Sequence, residues 1–205
     1  MSAVTTYARL RSLGSPPITT GEAAAALRTS GSAASRALRT LAARGLVRRI
    51  RRGLWTLETV PVDARRLASE VTRPYPAYVS FESALSAHGM IDQLPRDVTI
   101  ASLDRAKLVR TSAATFAVRH LPPELFGGFE TRDGIALATP EKALFDFYYV
   151  ARAHKRHRRR LPEVELPRRF SRRELRRWIG RIRSPRLRAQ VGRSLESAVE
   201  SAARG

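Results

Sequence analysis

The stretch LVRRIRRGLWTL (46–57) crowds Arg48, Arg49, Arg51 and Arg52 onto a short apolar segment. Just upstream, Arg36 and Arg39 stand about one helical turn apart. A guanidinium presents five N–H donors in a planar fork that fits phosphate, carboxylate or a guanine edge. Ordinary edge strands carry a charge or two to discourage aggregation. Four of one sign indicate a surface built to meet something anionic.

Bond-making chemistry finds no matching constellation. The chain contains no cysteine, which removes thiolate nucleophiles and thiolate metal sites. No phosphate-cradling GxxxxGK[ST], dinucleotide GxGxxG or nucleophile-elbow GxSxG is present. His154 and His157 have a spacing that could clasp a metal, but Lys155, Arg156 and Arg158–Arg160 around them repel cations. His88 reads as an imidazole at a helix C-terminus, where the dipole favours it. Glu141, Lys142 and Asp146 read as the polar side of a helix, with Glu141 placed favourably in its first turn. The expectation is a non-enzyme with no cofactor and no metal.

The net charge of +20 is spread unevenly. Residues 1–57 carry +9, residues 58–150 carry −2, and residues 151–205 carry +13. Two basic ends around a nearly neutral middle point to a polyanion, nucleic acid or an acidic protein surface. No apolar run approaches the ~20 residues of a membrane span, and MSAVTTYARLRSLG has no apolar secretory core. A cytoplasmic protein without a membrane partner is expected.

The elements that must carry the arginines can be read in order. VTTYARLRSL (4–13) has apolar residues at helical spacing and ends at Gly14 to Pro17. Thr19 and Glu22 form a capping box opening a helix through Leu27. A turn at 28–31 leads to a second helix over roughly 32–44, closed by Gly45. Two short helices around a Gly-containing turn form a helix-turn-helix. The second helix turns Ala34, Leu38, Leu41 and Ala42 inward. Its opposite face collects Ser32, Arg36, Arg39, Thr40 and Ala43, with Ser35 at the margin, and contains no acid. Such a face suits a recognition helix in the DNA major groove. Residues 46–50 and 54–57 then form a two-stranded wing with Arg51, Arg52 and Gly53 at its tip, suited to backbone or minor-groove contact.

Beyond residue 60 the composition changes. Ser80 ahead of Glu82 caps a helix ending at Gly89, 97–102 and 115–121 read as strands, and Asp133-Gly134 turns a hairpin. Thr139 and Pro140 open a helix whose buried stripe is Ala143, Leu144, Phe147, Tyr148 and Ala151. The charge run 154–160 and a proline-bounded loop precede two amphipathic helices. Their arginines, including Arg172, Arg173, Arg176 and Arg177, turn outward to meet an acidic partner or nucleic acid. The fold class is α+β: a winged helix-turn-helix at 1–60, then a C-terminal domain at 61–205. That domain is mixed α/β over 61–150 with an Arg-rich helical tail over 151–205.

Taken together, RRGLWTL, YVSFESALSAHGMIDQLPRDVTIAS, FAVRHLPPELFGGF and DGIALATPEKALFDFYY resemble the AbiEi-type antitoxins of type IV toxin–antitoxin (abortive infection) modules. The resemblance spans about residues 5–150 and is specific at 78–95 and 134–149. It implies an autorepressor that binds inverted repeats upstream of its own operon, two copies per site, and counteracts a nucleotidyltransferase toxin. It places DNA contact on Ser32, Ser35, Arg36, Arg39, Thr40, Arg48, Arg49, Arg51 and Arg52. The toxin's own signature, Gly-Ser followed by spaced aspartates, is absent, since Ala-Ala-Ser-Arg follows Gly31-Ser32. An ordinary winged-helix regulator with a sensor domain, or an enzyme modifying the toxin covalently, are the alternative readings.

Overall fold

The computed structural model describes residues 2–14, 17–57, 63–153 and 163–203. It divides into Met1–Leu67 with Arg110–Ala114 (unit 1), and Ala68–Val109 with Thr115–Gly205 (unit 2).

Unit 1 is three helices and a small sheet. Helix α1 (Ala3–Arg11) starts where the Ser2 side chain accepts from the Thr5 N–H. Strand β1 (Ile18–Thr19) leads into α2 (Thr20–Leu27), and both halves of the capping box form. The Glu22 N–H donates to Thr19 Oγ1 at 3.1 Å, and the Thr19 N–H donates to Glu22 Oε2 at 2.7 Å. Arg28, left-handed at φ 51°, ends α2. Helix α3 (Gly31–Ala43) begins one residue earlier than its sequence suggests because Ser30, not a later residue, supplies the cap to Ala33. Gly45 at φ 71° provides the left-handed residue after α3 that a side chain would strain.

Strands β2 (Arg48–Arg51) and β3 (Leu54–Thr56) form the wing. Strand β1, which the sequence pattern did not announce, pairs with β3 and gives the sheet order β1-β3-β2. Leu10, Ile18, Leu27, Leu38, Leu41, Val47, Trp55 and Leu57 close the core. Each buried Leu, Ile or Val contributes about 1.5–3 kcal/mol relative to exposure.

Unit 2 is an α+β fold around a six-stranded mixed sheet. Its helices are α4 (Ala68–Thr72), α5 (Phe81–Ala87), α6 (Pro140–Ala153), α7 (Arg172–Gly180) and α8 (Pro185–Ala202). Its strands are β4 (Ala77–Val79), β5 (Val98–Ser102), β6 (Lys107–Arg110), β7 (Thr115–His120), β8 (Phe129–Arg132) and β9 (Ile135–Ala138). The order is β6-β7-β5-β4-β9-β8, with β5 parallel to β7 and β4 parallel to β9. The β8–β9 turn has Asp133 at φ 52° and Gly134 at φ 76°, the two positive φ values of a type I′ hairpin.

Helix α6 packs against α5, α7 and α8. That surround changes one expectation: every residue from Glu141 to Phe147 is buried, not a single stripe. Tyr148 and Ala151, expected inside, are only half-buried. Strands β4 and β6 were not anticipated either. Among the described residues no helix is long and apolar enough to cross a membrane. The run 154–160, with His154 and His157, lies outside them.

Candidate nucleic-acid interface

Helix α3 divides cleanly. Ala34, Leu38 and Leu41 are buried on the unit 1 core. Ser32, Arg36, Arg39 and Thr40 are exposed, Ser35 is half-buried, and Ala42 is half-buried at the edge of the core. The two guanidiniums are one turn apart by sequence, and among the described residues neither pairs with a carboxylate. Arg39 Nε donates to the Ser35 carbonyl at a long 3.4 Å, which holds its stem along the helix while leaving most of its donors open. Thr40 Oγ1 donates to the Arg36 carbonyl at 3.1 Å, so its hydroxyl remains an acceptor for a partner. Ser30 Oγ and Ser32 Oγ lie 3.0 Å apart at the start of α3. Gly31 and Ser32 there are small and exposed, which lets a phosphate approach the helix N-terminus.

The wing is anchored before it is charged. Trp55 is buried, and its Nε1–H donates to Thr20 Oγ1 at 3.1 Å. The Thr20 N–H in turn donates to the Gly53 carbonyl at 3.0 Å. These bonds tie β3 to the start of α2, so the wing cannot swing freely from the helix pair. A register shift between Arg49 and Arg51 bulges β2 and turns Ile50 into the core. Ser112, which belongs to unit 1, donates from its Oγ to the Arg49 carbonyl and from its N–H to the Ile50 carbonyl.

The bulge sorts the four arginines. Arg48, Arg49 and Arg52 are exposed, with Arg52 at the tip beside Gly53 at φ 80°. The Arg49 guanidinium lies 5.8 Å from the Trp55 ring centroid, and its Nε donates to the Arg51 carbonyl at 3.4 Å. Arg51, expected at the tip, belongs to β2 and is half-buried, because the bulge rotates it toward the sheet. The exposed wing cations are therefore Arg48, Arg49 and Arg52.

In unit 2 the charged residues separate into two populations. Arg172, Arg173, Arg176, Arg177 and Arg181 are exposed on α7 and the residue after it. Lys142 and Asp146 of α6 are fully buried and paired with each other, not on the solvated side that their polarity suggests. Asp146 also accepts from Ser80 Oγ at 2.7 Å and Tyr78 Oη at 3.0 Å. Ser80 precedes α5 yet makes no side-chain cap bond, since its hydroxyl is committed to Asp146. Lys142 Nζ sits 4.6 Å from the Trp178 ring centroid, 5.1 Å from Phe145 and 5.6 Å from Tyr78.

Burial pushes the Asp146 carboxyl up and the Lys142 ammonium down, while their mutual attraction opposes both shifts. Burial and the adjacent carboxylate push the Tyr78 phenol well up. The stem of Lys142 and the Trp178 ring close over Gly128. A Cβ there would lie 2.5 Å from Trp178 and 3.0 Å from Lys142. Glu141, also buried, accepts from the Ser171 N–H at 2.6 Å and so holds the start of α7. His88 Nε2 meets the Ala138 carbonyl at 2.7 Å. The sealed network offers no open face to a substrate. Among the described residues no group of three His, Asp or Glu could hold a metal ion.

Residues 10–66 match the MarR family. The match covers α2, α3 and the wing, the elements just described. No curated protein matches the chain. The N-terminal unit is thus a MarR-like winged-helix DNA-binding domain, and it makes the chain a DNA-binding regulator. The match does not extend into the sheet and helices of unit 2.

Proposed function

We propose that this regulator represses its own operon by reading inverted repeats upstream of its gene and that it acts as an antitoxin. The observation carrying the DNA-reading half is the acid-free outer face of α3 beside a wing with three exposed arginines. On this reading Arg36 and Arg39 contact bases, while Ser32, Ser35 and Thr40 bond bases or phosphates. Arg48, Arg49 and Arg52 then hold the backbone or minor groove, with Arg51 a supporting cation.

The antitoxin half rests on the resemblance to AbiEi-type proteins in FESALSAHG and TPEKALFDF. Those two segments supply α5 and α6, which pack together, and Ser80 beside the first meets Lys142 and Asp146 of the second in one buried network. That network supports a shared domain core in unit 2, on which a toxin-facing surface would be built.

The test is fluorescence anisotropy with DNA from immediately upstream of the gene and a scrambled control, across a salt series. A preference of roughly 10³-fold or more is the specific-binding range. Equal binding to both duplexes at every salt concentration overturns the autorepressor reading. Growth rescue by co-expression with a neighbouring nucleotidyltransferase gene tests the antitoxin half, and failure to rescue overturns it. An ordinary regulator with a sensor domain would bind the operator and fail the rescue.

A further inference from the structure

Three of the four arginines of α7, Arg172, Arg173 and Arg176, do nothing for the helix that bears them. Measured by angle around α7, Leu175, Trp178 and Ile179 face the core, while Arg172, Arg176, Arg173, Arg177 and Arg181 fill the opposite half-circle, with Gly180 near its middle. Arg172 and Arg173 are the first two helical residues, where positive charge opposes the dipole. Arg172–Arg176 and Arg173–Arg177 are like-charged pairs four apart, which weaken a helix. Among the described residues Arg177 alone of these finds a carboxylate, the half-buried Glu174 at 3.0 Å. Among the described residues Arg172, Arg173 and Arg176 have none. A solvated face chosen for stability would intersperse acids, as the C-terminal half of α8 does with Glu196 and Glu200. Local disfavour that a single acid, Glu174, offsets only in part marks a surface kept for a partner.

The surface also selects the partner. The large apolar side chains exposed among the described residues are Val4, Leu13, Tyr75, Leu94, Leu108 and Phe129, and none lies on α7 or α8. A protein partner would want an aromatic or aliphatic anchor at the centre of the patch. A single strand would want rings on which bases stack; Trp178 is buried under Arg181, whose guanidinium lies 4.2 Å from its ring centroid. What remains is a dense row of guanidiniums. Five charges over residues 172–181, roughly 15 Å of helix, come to about one per 3 Å, within a factor of two of duplex DNA at about one per 1.7 Å of axis.

We propose that the outward face of α7, formed by Arg172, Arg173, Arg176, Arg177 and Arg181, is a second DNA contact that grips the duplex phosphate backbone without reading sequence. It deepens the DNA-regulator reading by giving unit 2 its own contribution to affinity. Unit 1 then supplies discrimination and α7 supplies a uniform, salt-sensitive increment.

The test uses the full chain as wild type, R172Q/R173Q/R176Q, and R36A/R39A, with the upstream duplex and a scrambled duplex of equal length over a salt series. The α7 variant is expected to lose affinity for both duplexes by the same factor. Its slope of log K against log salt should fall by roughly 0.9 for each lost phosphate contact. The ratio between duplexes should stay at the wild-type value. Thermal unfolding controls for misfolding: removing like charges from the first turn should leave the melting temperature unchanged or slightly raised. Unchanged affinity and slope in a folded α7 variant overturn the proposal, including the case where the face serves an acidic protein instead. The unit 1 reading fails separately, if R36A/R39A keeps full discrimination between the duplexes.

Discussion

The two units handle charge in opposite ways. In unit 1 the arginines of α3 lie on the surface over an apolar core of Leu, Ile, Val and Trp. Unit 2 also carries arginines outside, on α7, but it encloses a lysine and an aspartate at its centre. A surface charge is a recognition group that stability barely notices. An enclosed pair is held in place by every element around it, here β4, α6 and α7. The lesson is that a charged residue on a helix reports its partner only once the number of covered faces is known.

The sharpest way to break this contrast is to orphan the buried lysine. Asp146→Ala leaves an uncompensated ammonium and should cost about 3–5 kcal/mol in chemical denaturation, while the double change K142M/D146L should recover most of that loss. If D146A cost no more than a surface change, the pair would contribute nothing to unit 2. Gly128→Ala comes next. It places a Cβ against Trp178 and Lys142 at a φ of +73°, and overpacking should cost about 1–3 kcal/mol with backbone strain added. A melting temperature equal to wild type would show that the ring and stem can retreat freely.

Lys142→Met turns the same pair into a pH experiment. Burial then holds the Asp146 carboxyl up, opposed only by the Ser80 and Tyr78 hydrogen bonds. A carboxyl whose folded value is raised binds its proton more tightly when folded. The variant's stability is therefore greatest below the unfolded value of about 3.9 and falls as pH rises through the folded value. Denaturation midpoints should fall from mildly acidic to neutral pH relative to wild type, and parallel profiles would contradict the assignment. On the recognition side, R36A/R39A should cost about 1–3 kcal/mol of operator discrimination per base-reading side chain with little change in stability. The smallest effect is expected at the cap, where Thr19→Ala should lower stability by about 1 kcal/mol without touching an arginine.

Much of unit 1 was legible because its signals are local. A capping box, a helix-ending glycine and a hairpin of apolar residues sit within a few positions of the structure they specify. Strand β1 escaped because two residues carry no period. In unit 2, strands β5, β7, β8 and β9 were legible from alternation and the Asp133-Gly134 turn. Strand β4 was hidden in the run-up to α5, and β6, LysLeuValArg, has charged ends that mask it. The buried network was misread because polar was equated with solvent. A signal existed: in KALFDFYYV apolar residues occupy nearly every side of the helix around Lys142 and Asp146, which is the pattern of a helix covered all round. The partners Tyr78 and Ser80, more than sixty residues away, could not be found from spacing.

The chain's two tryptophans fall one to a unit: Trp55 buried under the wing and Trp178 buried beside Lys142. Each unit therefore carries its own fluorophore. Emission from a W178F chain reports on the wing alone, and emission from a W55F chain reports on the enclosed ion pair. Comparing the two unfolding curves would tell which half of the molecule lets go first, with no label attached.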